Sequence, residues 1–436
     1  MKEEPPISDS TPGVVPWPKP ITEIGRYGIA GEFIDLVSPQ TEADSNAILL
    51  CFLTYAGNAM GRNFFVSAGA DQHFGNLFTC LIGNTGHGRK GSAMSVVESF
   101  YEHGSPPRLG HRLKGISTGE AIVYEIHDDI FKFTLVDKKN QKYERTLAEP
   151  NIPDKRLLIV LSEFQQCLAN MRKNDSILPS ILRTAWDKGD LATPAKTSRA
   201  TATGAHVSLI SAMSREELLE QTSVNDAESG TLNRLLFCCS RRSKLLPQGG
   251  QFQRLYKSEQ WKGIQERLAR NIDTFEEQIH MTRDFDAEEI WGLNEQPHRG
   301  LYNFLNQPRI GLWGAVTARA PQMVLRLALI EAAINGKRVI QVEHLSAAEE
   351  IWRYCDESTK YIFGDRMNDQ VAIDIMQALR AVAPCGMTRT QIYRIWKGHL
   401  KREEIDRSLL WISHTGIARV ERIETGGRPM ETWYAS

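Results

Sequence analysis

The sequence predicts an α/β fold in which a parallel sheet is covered by helices on both faces, followed by a helical domain and a small mixed C-terminal unit. Three observations carry this prediction. Four continuous apolar runs, at 77–82, 157–161, 207–210 and 235–239, are separated by stretches of helical periodicity. Strands buried on both faces lose the alternation of half-exposed strands, so such runs fit a parallel sheet. A cluster of glycines lies between the first run and a helical pattern from Ser92. The chain has 436 residues, 41% of them hydrophobic and 24% charged, a length that suits about three domains and a large core.

In chain order, residues 1–24 hold six prolines, which reads as an extended arm. Residues 25–76 read as an N-terminal helical segment, or collar. Within it Thr41 is the expected N-cap, Glu42 and Asp44 suit the positive end of a helix, and Ile48, Leu49, Phe52, Leu53 and Ala56 form an apolar face closed by Gly57 and Gly61. Residues 77–250 contain the four sheet strands, and ligands bind such sheets at the carboxyl ends of the strands. Residues 251–365 read as a helical lid, with 318–334 the clearest stripe. Residues 366–436 show helices near 370–382, 388–397 and 402–413. Strands at 417–423 and 431–434 follow across Thr425-Gly-Gly-Arg-Pro429, a winged-helix pattern. No repeat of 20–50 residues is present.

Composition narrows the function. The longest unbroken apolar stretch, Ala47 to Leu53, is far short of the roughly 20 residues that span a bilayer. The acidic, proline-rich start does not resemble a secretory signal, so a cytoplasmic protein is expected. Formal net charge is -1, from 52 basic and 53 acidic side chains, so any contact with DNA has to be local. The seven cysteines contain no Cys-x-x-Cys pair and read as reduced core thiols, and the eleven histidines lack ligand spacing.

The glycine cluster carries the sharpest chemistry. Gly83-Asn84-Thr85-Gly86-His87-Gly88-Arg89-Lys90-Gly91-Ser92 follows a buried strand and opens a helix. Glycines let backbone N–H groups converge on phosphate, the helix N-terminus adds partial positive charge, a lysine reaches the β and γ phosphates, and a hydroxyl holds magnesium. Counting G-x-x-x-x-G-K-[ST] from Gly83 puts Arg89 at the lysine place and Lys90 at the hydroxyl place. Lys90 and Ser92 are therefore assigned those roles, with Arg89 and Gly91 as added residues. The alternative is a glycine-rich turn bearing surface charges. Further on, the run 157–161 delivers Glu163 to a strand end, where an ATPase needs a carboxylate to orient or deprotonate water. Ser162 stands where an acid is usual.

With these elements in place the chain resembles a bacterial family of P-loop ATPases, carried under a domain-of-unknown-function label and found fused to or beside primase-polymerase modules on plasmids, phages and integrated elements. The resemblance rests on Gly28-Ile-Ala-Gly-Glu-Phe, Thr41-Glu-Ala-Asp, the loop ending Arg89-Lys-Gly-Ser, and Gly230-Thr-Leu-Asn-Arg234. It also includes Arg241-Arg-Ser-Lys-Leu-Leu-Pro247, His344-Leu-Ser-Ala-Ala348, Phe363-Gly-Asp365 and Gly426-Gly-Arg-Pro429. More distantly, the order of elements is similar to the AAA+ module of minichromosome maintenance helicases, hexameric rings that pull DNA through a central pore. That similarity implies several roles. Ser162-Glu163-Phe164 stands for the carboxylate element, Lys196 for a pore-hairpin lysine, Ser214 for sensor 1, Arg234 for an arginine finger acting in trans, and Arg319 for sensor 2, with Arg326 structural. Gly115-Ile-Ser-Thr-Gly-Glu120 resembles the start of the helix-2 insertion, whose hairpin would carry Lys138 and Lys139 near its tip.

Two acid-free basic segments suit nucleic acid. Residues 193–206 contain Lys196 and Arg199, and 386–402 contain Arg389, Arg394 and Lys397 with Tyr393 and Trp396 interleaved. The third helix of the C-terminal unit begins Glu403-Glu404-Ile-Asp406, which argues against close major-groove insertion. The expectation is a ring, most simply a hexamer, that hydrolyses ATP with magnesium, moves along single-stranded DNA and works beside a primase-polymerase. The alternative is a nucleotide-gated DNA-binding or regulatory protein that hydrolyses little, and a phage-defence ATPase is a third option.

Overall fold

The computed structural model describes residues 15–137, 142–193, 200–222, 230–272, 278–293, 295–296, 298–307, 309, 311–364, 370–396, 399–414, 417–423 and 430–435. They fall into two units. One comprises residues 19–307 and 318–356, so the segments 25–76 and 77–250 share a single core; the other takes the remaining described residues.

The larger unit is built on five parallel strands: β1 (Phe78–Ile82), β2 (His111–Lys114), β3 (Arg156–Leu161), β4 (His206–Met213) and β5 (Leu235–Cys239). Their order across the sheet is β5-β1-β4-β3-β2, and every neighbouring pair is parallel. β1, β4 and β5 are buried at every position, which is why they read as unbroken apolar runs. β2 is the edge strand His-Arg-Leu-Lys, with no fully buried residue. Its polarity leaves no apolar run in the sequence to mark it.

Helices α1 (Gly28–Val37) and α2 (Ser45–Met60) precede the sheet. The structure corrects the expected start of α2. Asp44, not Thr41, is the N-cap, its carboxylate accepting from the Asn46 N–H at 2.9 Å, while the Thr41 hydroxyl accepts from Ala43 N–H outside the helix. From Asn46 to Met60 every residue of α2 is buried, so the helix has no solvent face. Asn58 ties it to the sheet, donating to the Leu157 carbonyl at 3.1 Å and accepting from Gly110 N–H at 2.9 Å. Gly57 does not end the helix. It lies in the last turn, and a Cβ there would stand 2.0 Å from the Gly75 carbonyl oxygen, which requires glycine. An antiparallel hairpin that the sequence reading did not anticipate, Phe64–Ala68 with Asp71–Phe74, follows.

Beyond β1 come α3 (Lys90–Glu102), α4 (Phe164–Met171), α5 (Leu178–Asp187), α6 (Arg215–Glu220) and α7 (Ala320–Ile334). α7, the clearest stripe of the sequence, is buried at nearly every position. Its Arg326 is fully buried, donates to Asn76 Oδ1 at 2.7 Å and the Trp186 carbonyl at 2.6 Å, and lies 3.6 Å from the Trp186 ring centroid.

In the smaller unit, helices Gln370–Ala381, Arg389–Arg394 and Arg402–His414 pack with a three-stranded antiparallel sheet. Met430–Ala435 is its central strand, between Met387–Thr388 and Ala418–Ile423. The core includes Ile375, Leu379, Ile392, Leu409, Ile412 and Trp433. Among the described residues no helix is long and apolar enough to cross a membrane. Six cysteines are buried and Cys385 is exposed, and among the described residues none forms a disulfide.

Candidate functional site

The strand order builds the site. β4 lies between β1 and β3, with Met213 beside Ile82 and Ser211 beside Leu161. The segments starting at Gly83, Ser162 and Ser214 therefore leave adjacent carboxyl ends, where parallel sheets open a crevice. They enclose a cavity of about 400 Å³ lined by Asn84, Thr85, Gly86, Arg89, Lys90, Gly91, Ser92, Ser162, Glu163, Phe164, Gln165, Ala212, Met213, Ser214 and Glu217. Three segments far apart in sequence thus meet at one hollow.

The loop is shaped by its glycines. A Cβ at Gly83 would stand 2.2 Å from the Ser240 carbonyl oxygen, and Gly86 has φ +72°. A Cβ at Gly91 would meet nothing within 4 Å beyond its chain neighbours and the adjacent backbone of α3, so packing does not require glycine there. Gly88 N–H donates to the Asn84 carbonyl, and His87 N–H to the Thr85 carbonyl, both at 2.8 Å. Ser240, just past β5, donates its hydroxyl to the Gly88 carbonyl at 2.7 Å. The first turn of α3 has backbone N–H groups without helical acceptors and carries the positive end of the helix dipole.

Lys90 opens α3 and donates its ammonium back to the Gly83 carbonyl. Half-burial lowers its pKa, while the Glu217 carboxylate acts in the opposite direction. An ammonium has three N–H donors, so the bond to Gly83 leaves two for oxyanions. Ser92 borders the same cavity, and Glu163, at the N-cap of α4, is exposed to it.

Ser214 lies at the end of β4 as the N-cap of α6. Its hydroxyl donates to Glu217 Oε2 at 2.7 Å and accepts from the Glu217 N–H at 3.2 Å. The single O–H is therefore committed to Glu217 rather than aimed at an oxyanion. Glu217 was missed in the sequence, although Ser214-x-x-Glu217 is a capping-box pattern visible there. The Ser214 hydroxyl and N–H hold its carboxyl below the ordinary carboxylate range.

Arg234 and Arg319 do not line this cavity. They meet at Asp187 instead. Arg234, buried, reaches Asp187 Oδ2 at 2.6 Å and also bonds the Gly230 carbonyl, and Arg319 reaches Asp187 Oδ1 at 3.3 Å and Asn233 Oδ1 at 3.1 Å. Arg183 stands beside them, donating to the Thr231 hydroxyl at 3.1 Å.

Of the DNA-contact candidates, Lys138, Lys139, Lys196, Arg199 and Lys397 lie outside the described residues. Strand pairs Ile130–Asp137 with Lys142–Glu149, and Leu191–Ala192 with Thr201–Ala202, bracket the first four. Arg389 is tied to Asp406 at 2.6 Å and Glu431 at 3.0 Å, so its charge is largely offset within its own unit, whereas Arg394 is exposed. Among the described residues no group of three or more His, Cys, Asp or Glu could hold a metal ion. No protein-family model matches the chain, and no curated protein matches it.

Proposed function

We propose that the chain is a P-loop ATPase of AAA+ type that works on DNA as a ring, most simply a hexamer, with a C-terminal winged helix, in the replication of a mobile element. The supporting observation is the convergence of Lys90, Ser92 and Glu163 on one cavity at adjacent strand ends. In this reading Lys90 and the first-turn N–H groups of α3 hold the β and γ phosphates. The Ser92 hydroxyl is the protein's ligand to magnesium, which usually takes the rest of its shell from phosphate oxygens and water. That fits a cavity with a hydroxyl at the helix start. When bound, the ion neutralises phosphate charge. Glu163 orients or deprotonates the attacking water. Arg234, released from Asp187, reaches the nucleotide of a neighbouring copy, and Arg319, which shares Asp187 with it, is the sensor 2 arginine. Ser214 senses the γ-phosphate once its hydroxyl turns away from Glu217. Single-stranded DNA in the pore and a primase-polymerase beside the ring complete the proposal.

A second reading, a nucleotide-gated DNA-binding or regulatory protein with little hydrolysis, is favoured by the commitment of Ser214 to Glu217 and by Ser162 in an acid's place. One experiment separates the two: ATP turnover and nucleotide binding by wild type, Lys90→Ala and Glu163→Gln, with and without single-stranded DNA. The motor reading expects stimulation by DNA, loss of binding and turnover in Lys90→Ala, and retained binding with turnover lowered about 10²- to 10⁴-fold in Glu163→Gln. Full turnover in both variants contradicts the ATPase assignment. Nucleotide binding without DNA-stimulated turnover supports the switch.

A further inference from the structure

Two motifs of the sequence, Thr41-Glu-Ala-Asp44 and Arg241-Arg-Ser-Lys244, take no part in the site as described. The fold brings both to the phosphate loop. Glu42 Oε2 lies 2.5 Å from the Arg89 guanidinium and 3.5 Å from that of Arg242, and Glu42 Oε1 accepts from Leu246 N–H at 2.8 Å. The Glu42 carbonyl accepts from Ser243 N–H at 3.0 Å, and Asp44 accepts from Arg241 N–H at 3.2 Å. The segment after β5 is thereby fixed to the turn before α2. The Leu246 N–H, then Arg89 and Arg242, hold the Glu42 carboxyl below the ordinary carboxylate range.

Arg89 is one of the two added residues of the loop and has φ +48°, in the left-handed region that favours glycine. A side chain there persists when its surroundings hold it. The holding is visible on both sides of the turn: Ser240 grips the Gly88 carbonyl, and Glu42 grips the Arg89 guanidinium. The next residue is Lys90, whose ammonium folds back over the loop.

We infer that Glu42 is a positioning residue for the phosphate loop, fastening Arg89 so that the chain turns and presents Lys90 and the start of α3 to a nucleotide's phosphates. This rests on the nucleotide reading of the cavity. Arg89 is on this account a strap and not a phosphate ligand, although it borders the cavity. The opposite arrangement, in which Glu42 competes with phosphate for Arg89, predicts a change of opposite sign when the carboxylate is removed.

The test is equilibrium binding of a fluorescent ATP analogue with magnesium to the full chain. Glu42→Gln and Arg89→Met are each expected to weaken binding about tenfold, and the double variant to be no weaker than the weaker single one, because both remove the same contact. Tighter or unchanged binding in Glu42→Gln overturns the inference, as do losses that multiply in the double variant. If Glu42→Gln does not fold, Glu42→Asp replaces it, which keeps the charge and shortens the reach. Weakened binding that Arg89→Met does not deepen then supports the strap, and multiplied or absent losses overturn it. Lys90→Ala separates the two levels of argument. If it binds the analogue as wild type does, the phosphate-site reading fails. If it loses binding while Glu42→Gln and Arg89→Met bind as wild type does, only the positioning role of Glu42 fails.

Discussion

Glu331 on α7 is fully buried, and neither carboxylate oxygen has a hydrogen-bond partner among the described residues. Burial alone pushes its carboxyl up from the ordinary 4.5 to about 8. The folded chain therefore keeps a proton that the unfolded chain releases, and this group lowers stability as pH rises through that window, by at most about 1.4 kcal/mol per pH unit. Glu331→Gln removes the titration. Its stability relative to wild type should rise between pH 5 and pH 8 in urea unfolding, and a constant difference would contradict the assignment. At this scale, what was legible in the sequence was chemistry carried by local spacing. Lys90, Ser92 and Glu163 stand out because each comes soon after a buried run, and the fold brings all three to one cavity. Ser214 was matched to a sensor by position, while its local pattern with Glu217 already described a cap. The pairing of Arg234 and Arg319 with Asp187 was not legible, because it joins positions 187, 234 and 319, which only the tertiary fold brings together.

At the scale of elements, burial decided what could be read. β1, β3, β4 and β5 were visible as apolar runs. β2 was not, since an edge strand of His, Arg, Leu and Lys has no apolar signature. The hairpin Phe64–Ala68 with Asp71–Phe74 was overlooked for a related reason. Four-to-five-residue strands around a glycine turn give too short a period to separate from loop. The start of α2 was misplaced by a few residues because Thr41 and Asp44 are both good caps. The choice went to Asp44, whose second oxygen also accepts from Arg241 N–H of a distant segment. Glu42 was read as a helix-dipole residue, and its partners Arg89 and Arg242 lie 47 and 200 positions away.

At the scale of the molecule, the proposed mechanism divides each site between two copies of the chain, because Arg234 stands outside the cavity of its own chain. Arg234→Ala is then expected to keep nucleotide binding and lose turnover about 10³-fold or more. Mixed with the equally inactive Lys90→Ala, it should regain activity, since some interfaces would pair an intact loop with an intact arginine. No gain on mixing would argue against a shared site. The most direct measurement is a structure determined with magnesium and a non-hydrolysable ATP analogue. The terminal phosphate is expected within hydrogen-bonding reach of Lys90 Nζ, with Glu163 facing it across the cavity. An analogue bound elsewhere, or a cavity left empty at saturating analogue, would contradict it.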